Sequence, residues 1–164
     1  MSGQTIKLNL KGINGVKISC LSIEKAAPCA HVAAHVAGTK QDCIARLMAG
    51  QTYLNLDRSL EQQGVTKNAD ITCVFSNVTS AQYDEVIHAW EQKPGQELQG
   101  EAFVIWHSLT SLTLTENFNE TLEDVLWPID VQTLIFGRNF NQSLDNVSLP
   151  SALQTLTFGR NFNQ

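Results

Sequence analysis

Cys29, His31 and His35 stand in the pattern C-x-H-x-x-x-H. Histidines four apart on a helix can hold a zinc ion. The surrounding residues argue against that use. Cys29 belongs to an apolar stripe with Val32, Ala33 and Val36, so it turns inward while the two histidines do not. No acidic residue beside them offers a further ligand. A cysteine nucleophile needs a base such as His88 or His107 next to it, and nothing in the spacing unites them. Lys11-Gly12-Ile13-Asn14-Gly15 carries glycines but reads as a hairpin turn, not a phosphate cradle. Arg138 and Arg160 are 22 residues apart, with Glu116 22 before them. Two guanidiniums in one column could grip a carboxylate or phosphate; the plainer reading is a solvated edge. No enzyme, no metal and no cofactor is therefore expected. The chemistry left is binding.

The 164 residues suffice for one ordinary domain or two small ones, and an apolar fraction of 43% supplies a core. The net charge is −5 with no Lys/Arg run, which excludes a nucleic-acid partner. No apolar stretch reaches the ~18 residues of a membrane span. The start, MSGQTIKLNL, lacks the pattern of a secretory signal. Cys20, Cys29, Cys43 and Cys73 sit among apolar neighbours without a C-x-x-C pair, so buried, reduced thiols in a reducing compartment are expected. That predicts an intracellular, cytoplasmic protein. The N-x-S/T sequences at Asn77, Asn119, Asn141 and Asn146 read as chance matches in a chain rich in Asn, Ser and Thr.

Ile6, Leu8 and Leu10 alternate along one face. After a turn with Gly12 and Gly15, Val16, Ile18 and Cys20 alternate again, predicting a β-hairpin. Pro28 opens a helix whose inward face is Cys29, Val32, Ala33 and Val36, and Gly38 ends it. Strands are predicted at Ile44 to Met48 and Asp70 to Phe75, with spaced Leu54, Leu56 and Leu60 between them. The order ββαβ(β)β over about 4–76, with Arg46-Leu47-Met48-Ala49-Gly50, Ser59-Leu60, Gly64-Val65 and Ile71-Thr72-Cys73-Val74, resembles the ubiquitin-like β-grasp family. That family's Arg-Leu-Ile-Phe-Ala-Gly strand is matched with one residue fewer. Conjugated members end in Gly-Gly; here Ser76-Asn77-Val78-Thr79 follows, so the resemblance implies an integral docking domain and not a modifier. It also implies an apolar binding patch at Met48 and Val74, with Thr72 beside them.

Between residues 77 and 103 a helix is expected. Thr79 caps it with Gln82 returning, and Tyr83, Val86, Ile87 and Trp90 form its stripe. Pro94-Gly95 stops it. The exposed first edge of a repeat array must be covered, and Trp90 packed on the first repeat would do that. The alternative is an amphipathic helix packed back on the β-grasp domain.

The last third repeats itself. Leu112/Leu134/Leu156 and Phe118/Phe140/Phe162 recur every 22 residues, the mark of a leucine-rich solenoid. Short parallel strands at Leu109 to Leu114, Val131 to Phe136 and Leu153 to Phe158 would stack these columns. Leu114/Phe136/Phe158 form another column, and Leu122/Leu144 with Val125/Val147 line the return side. Pro128 and Pro150 fit the return turn. Asn117/Asn139/Asn161 and Asn119/Asn141/Asn163 would join one turn to the next. Gly137 and Gly159 are expected to supply a backbone φ that a side chain would penalise. Val104 to His107 reads as a degenerate copy of Val125 to Pro128. The repeats over about 104–164 resemble the leucine-rich-repeat superfamily, in its surface-antigen-type and FNIP-type variants, whose members are mostly protein-interaction scaffolds.

The resulting expectation is an α+β chain: a β-grasp domain (1–76), a linker with a capping helix (77–103) and a solenoid of about 2.5–3 repeats (104–164). Partner contact falls on Met48, Thr72 and Val74, and on Gln132, Ile135, Arg138, Gln154, Thr157 and Arg160. The function expected is a non-enzymatic protein–protein adaptor. The alternatives are a structural subunit of a larger complex and the substrate-recognition part of a ubiquitin-pathway ligase. Asn163-Gln164 falls inside a repeat, so a fragment of a longer array, or an edge-on contact there, is also expected.

Overall fold

Alternation of apolar and polar residues makes the first strand. In the computed structural model, which describes residues 4–38 and 43–164, β1 runs Thr5–Gly12 with Ile6, Leu8 and Leu10 buried. It is flanked by β2 (Lys17–Glu24), antiparallel, and β5 (Asp70–Asn77), parallel. With β3 (Cys43–Ala49) and the short β4 (Thr52–Tyr53) the sheet order is β2-β1-β5-β3-β4. Helix α1 (Cys29–Ala37) packs against β3 and β5. Its Cys29, Val32, Ala33 and Val36 are fully buried, opposite a sheet that buries Leu8, Leu10, Leu47 and Ile71. Each large aliphatic side chain removed from water in this way contributes about 1.5–3 kcal/mol.

The second strand departs from the expected phase. Val16 lies outside it and Cys20 is exposed, while Ser19, Leu21 and Ile23 are half-buried. The cause is a bulge: Leu10 pairs with Ser19 but Lys11 pairs with Lys17, so Ile18 is the extra residue. One extra residue moves every later side chain to the other face. Gly38 does end α1, with right-handed geometry (φ −59°).

The described chain divides into two units. One is 1–78 with 99–104; the other is 79–98 with 105–164. Residues 99–104 join the first unit through a Phe103 ring stacked on His31 (4.8 Å) and an ion pair from Glu101 to Arg46 (3.3 Å). They form the start of α3 (Gly100–His107). Val104 to His107 is therefore helical and does not copy Val125 to Pro128, which is irregular. The helix keeps Phe103, Val104, Ile105 and Trp106 buried together, which a return turn would not require.

In the second unit, α2 (Ser80–Glu91) starts with the expected capping box: Thr79 Oγ1 accepts from Gln82 N–H while Gln82 Oε1 accepts from Thr79 N–H. Trp90 is almost fully buried, against Trp106, Phe118 and Trp127 (4.8, 5.7 and 5.5 Å between ring centroids). Strands β6 (Ser111–Thr113), β7 (Thr133–Ile135) and β8 (Thr155–Thr157) pair in parallel, Leu112 to Leu134 to Leu156. The phenylalanines follow. Phe118, Phe140 and Phe162 stack at 6.1 Å per step, Phe136 and Phe158 at 5.4 Å, and each pair of columns touches at 4.0 Å. Offset rings at these separations add to the area they bury.

Gly137 and Gly159 owe their place to closeness, not to φ. Neither has a positive φ. A Cβ on Gly137 would lie 1.9 Å from the Thr115 carbonyl oxygen, and one on Gly159 2.1 Å from that of Gly137. The left-handed positions are Asp124 (φ 55°) and Asn146 (φ 63°), 22 residues apart in the return turns, where Asp and Asn tolerate it better than other side chains.

Candidate functional site

Parallel pairing presents alternate residues of each short strand outward. Thr113, Ile135 and Thr157 form one outward column, and Ser111, Thr133 and Thr155 another. Gln132 and Gln154 stand just before the strands, joined by backbone bonds from Gln132 N–H to Thr110 and from Gln154 N–H to Gln132 (both 2.8 Å). The expected partner residues Gln132, Ile135, Gln154 and Thr157 thus share one neutral, polar face. Arg138 and Arg160 sit one repeat apart and exposed. No described carboxylate pairs with them.

Beside that face runs a ladder of asparagines. Asn139 Nδ2 donates to Asn117 Oδ1 (3.0 Å), and Asn161 Nδ2 to Asn139 Oδ1 (2.9 Å). Asn141 N–H donates to Asn119 Oδ1 (2.7 Å), and Asn163 N–H to Asn141 Oδ1 (2.8 Å). The glutamines after them reach back as well: Gln142 Nε2 to the Asn119 carbonyl and Gln164 Nε2 to the Asn141 carbonyl (2.9 and 3.1 Å). These side chains bind one repeat to the next.

At the first repeat the partner is an α2 residue. Thr115 occupies the position of Gly137 and Gly159, and Glu91 accepts from its N–H (2.6 Å) and its Oγ1 (2.9 Å). Glu91 is a buried carboxylate; two donors offset its loss of water. Next to it lies a cavity of about 400 Å³, lined by His88, Glu91, Gln92, Thr115, Asn117, Phe118, Asn119 and Glu120. Neither Glu91 nor Glu120 follows from periodicity. The available signal was departure from it: Thr115 where glycine recurs, and Glu120 where Gln142 and Gln164 recur.

In the first unit, Met48 pairs with Thr72 and Arg46 with Val74 across adjacent antiparallel strands. Opposed residues point to the same side, so Met48, Thr72 and Val74 share a face with Arg46. All three are half-buried. A second cavity of about 310 Å³ is lined by Arg46, Tyr53, Leu54, Leu56 and Glu101.

Nucleophilic and metal chemistry gain little from the structure. Burial pushes the Cys29 thiol up to about 11 against a hydrogen bond from Gln63, and the Cys73 thiol likewise to about 11. A thiol held protonated is a poor nucleophile. Cys20, exposed, and Cys43, half-buried, depart from the expectation of four buried thiols. Among the described residues no three His, Cys, Asp or Glu side chains gather as metal ligands, and no helix is long and apolar enough to cross a membrane.

The FNIP repeat family matches residues 140–164, the end of the second repeat and all of the third. That match supports the FNIP-type character of the repeats; it spans a minor part of the chain. Comparison with curated proteins gave no match.

Proposed function

We propose that this chain is a non-enzymatic protein–protein interaction adaptor. In this reading the first unit is a ubiquitin-like β-grasp docking domain, and the second a leucine-rich-repeat-like solenoid of FNIP type that holds another protein. The observation that carries it is the in-register stacking of β6, β7 and β8, which builds a continuous outward face. Gln132, Ile135, Gln154 and Thr157 would be the contact residues there, with Arg138 and Arg160 at its margin. The sheet order, the single helix against β3 and β5, and the shared face of Met48, Thr72 and Val74 support the docking-domain half. The FNIP match supports the repeat half.

The test uses the full chain. Val74→Glu and Ile135→Glu each put one charge in one surface. Crosslinking in cell extract, read by mass spectrometry, should show each variant losing a different set of partners. If both variants keep every partner of the unmodified chain, or both lose the same ones, the two-surface reading fails.

A further inference from the structure

In the second and third repeats each asparagine turn is tied to the repeat before it. Backbone N–H groups of Asn139 and Asn141 donate to the Glu116 carbonyl and to Asn119 Oδ1, and the Asn139 side chain donates to Asn117 Oδ1. Asn161 and Asn163 repeat all three bonds one step later. The first repeat has no repeat before it. The equivalent donors there are the N–H and Nδ2 of Asn117 and the N–H of Asn119. None of the three bonds to any described residue. Both asparagines border the cavity of about 400 Å³, a volume within the range of about 300–1,000 Å³ common for small-ligand sites. The other feature of this wall is Glu120. Gln142 and Gln164 at the same position donate to the preceding turn; a carboxylate accepts instead.

We propose that this cavity binds a neutral carboxamide: the side chain of an asparagine or glutamine presented by a peptide. The repeats themselves show what satisfies such donors, namely a carboxamide oxygen and a backbone carbonyl. Carrying that pattern one step back puts those acceptors inside the cavity. A carboxamide also carries an NH₂, which Glu120 accepts. Glu91 does not compete, because Thr115 occupies both of its oxygens. Phe118 gives the wall an apolar part. A carboxylate ligand would meet Glu91 and Glu120 in a unit where ten carboxylates face three cations, Lys93, Arg138 and Arg160. A cation would satisfy Glu120 and leave three N–H donors unmet. The carboxamide is the one group that answers both. The site lies apart from the outward strand face, so its failure leaves the adaptor reading standing.

The experiment is NMR on the ¹⁵N-labelled full chain, titrated with acetyl-Asn-Phe-Asn-methylamide to about 10 mM, a range that detects weak binding. The expected result is a saturable shift of the Asn119 N–H and the Asn117 side-chain amide. Acetyl-Asp-Phe-Asp-methylamide should bind at least about tenfold more weakly, a difference equal to one hydrogen bond to a charged group. Asn117→Asp removes the donor but keeps Oδ1 for Asn139; it should weaken binding about tenfold while the Asn139 side-chain resonance stays in place. Glu120→Gln restores the residue of the later repeats and should narrow the preference for the Asn peptide. Four results would overturn the proposal: no saturable shift, shifts confined to residues outside the cavity, equal binding of the Asp peptide, or full binding by Asn117→Asp. Equal binding of single acetyl-asparagine methylamide would overturn the assignment to a peptide.

Discussion

Replacing Gly137 with alanine tests how closely the repeats approach. The added Cβ would stand 1.9 Å from the Thr115 oxygen, 2.5 Å from its carbonyl carbon and 2.7 Å from the Glu116 Cα. All three are backbone atoms, so no side chain can swing aside. Ordinary carbon contacts need about 3.5 Å, which asks the two backbones to part by roughly 1.5 Å at this point. Three bonds cross the same gap: Asn139 N–H to the Glu116 carbonyl (2.9 Å), Leu114 N–H to the Ile135 carbonyl (2.9 Å) and Asn139 Nδ2 to Asn117 (3.0 Å). Stretched that far, none remains a hydrogen bond. At about 0.5–1.5 kcal/mol each, with the Phe118–Phe140 stack loosened as well, the expected loss is about 3 kcal/mol or more. The assay is urea unfolding followed by tryptophan fluorescence. Trp90, Trp106 and Trp127 all lie in the second unit, so the signal reports the unit that is perturbed. Gly137→Asn separates two causes. If a left-handed φ were the reason for glycine, asparagine would cost less than alanine. Close approach makes asparagine at least as costly. A loss below about 0.5 kcal/mol for Gly137→Ala, the level of an ordinary surface change, would refute the reasoning.

Two further outcomes are expected. Glu91→Ala leaves the Thr115 N–H and hydroxyl without their acceptor; the second unit should lose about 1–3 kcal/mol, with Glu91→Gln losing less because one acceptor oxygen remains. Equal losses for the two variants would mean the carboxylate serves only to fill space. A thiol-reactive dye at neutral pH should label Cys20 first, with Cys29 and Cys73 protected until unfolding. The same two thiols titrate near 11 when folded against 9.0 ordinarily. Their contribution to stability should be intact below pH 9 and fall as the pH rises through 11, because the unfolded thiols ionise first. Stability of the first unit that rises across that window would contradict it.

Much of this molecule could be read from residue spacing, because some features are decided within a few residues or by strict repetition. The stripe of α1 and the capping box of α2 are local, set by the helical period and by two side chains three residues apart. The leucine, phenylalanine and asparagine columns follow from identical residues at a fixed interval, since equal units can only meet their neighbours in the same way each time. Other features belong to the tertiary structure alone. Cys20 faces outward because one bulged residue, Ile18, reverses the alternation, and nothing in a single strand announces where its partner will bulge. Val104 to His107 is helical because its bulky side chains are buried together, against a sequence likeness to a turn. Glycine at 137 and 159 reflects a backbone gap too narrow for a methyl group, a distance that exists only once the repeats are stacked. Glu91 meets Thr115, and Asn117 and Asn119 keep free donors beside a cavity, for one reason. A periodic pattern specifies its interior, whereas its first member is completed by whatever non-repeating segment the chain folds against it.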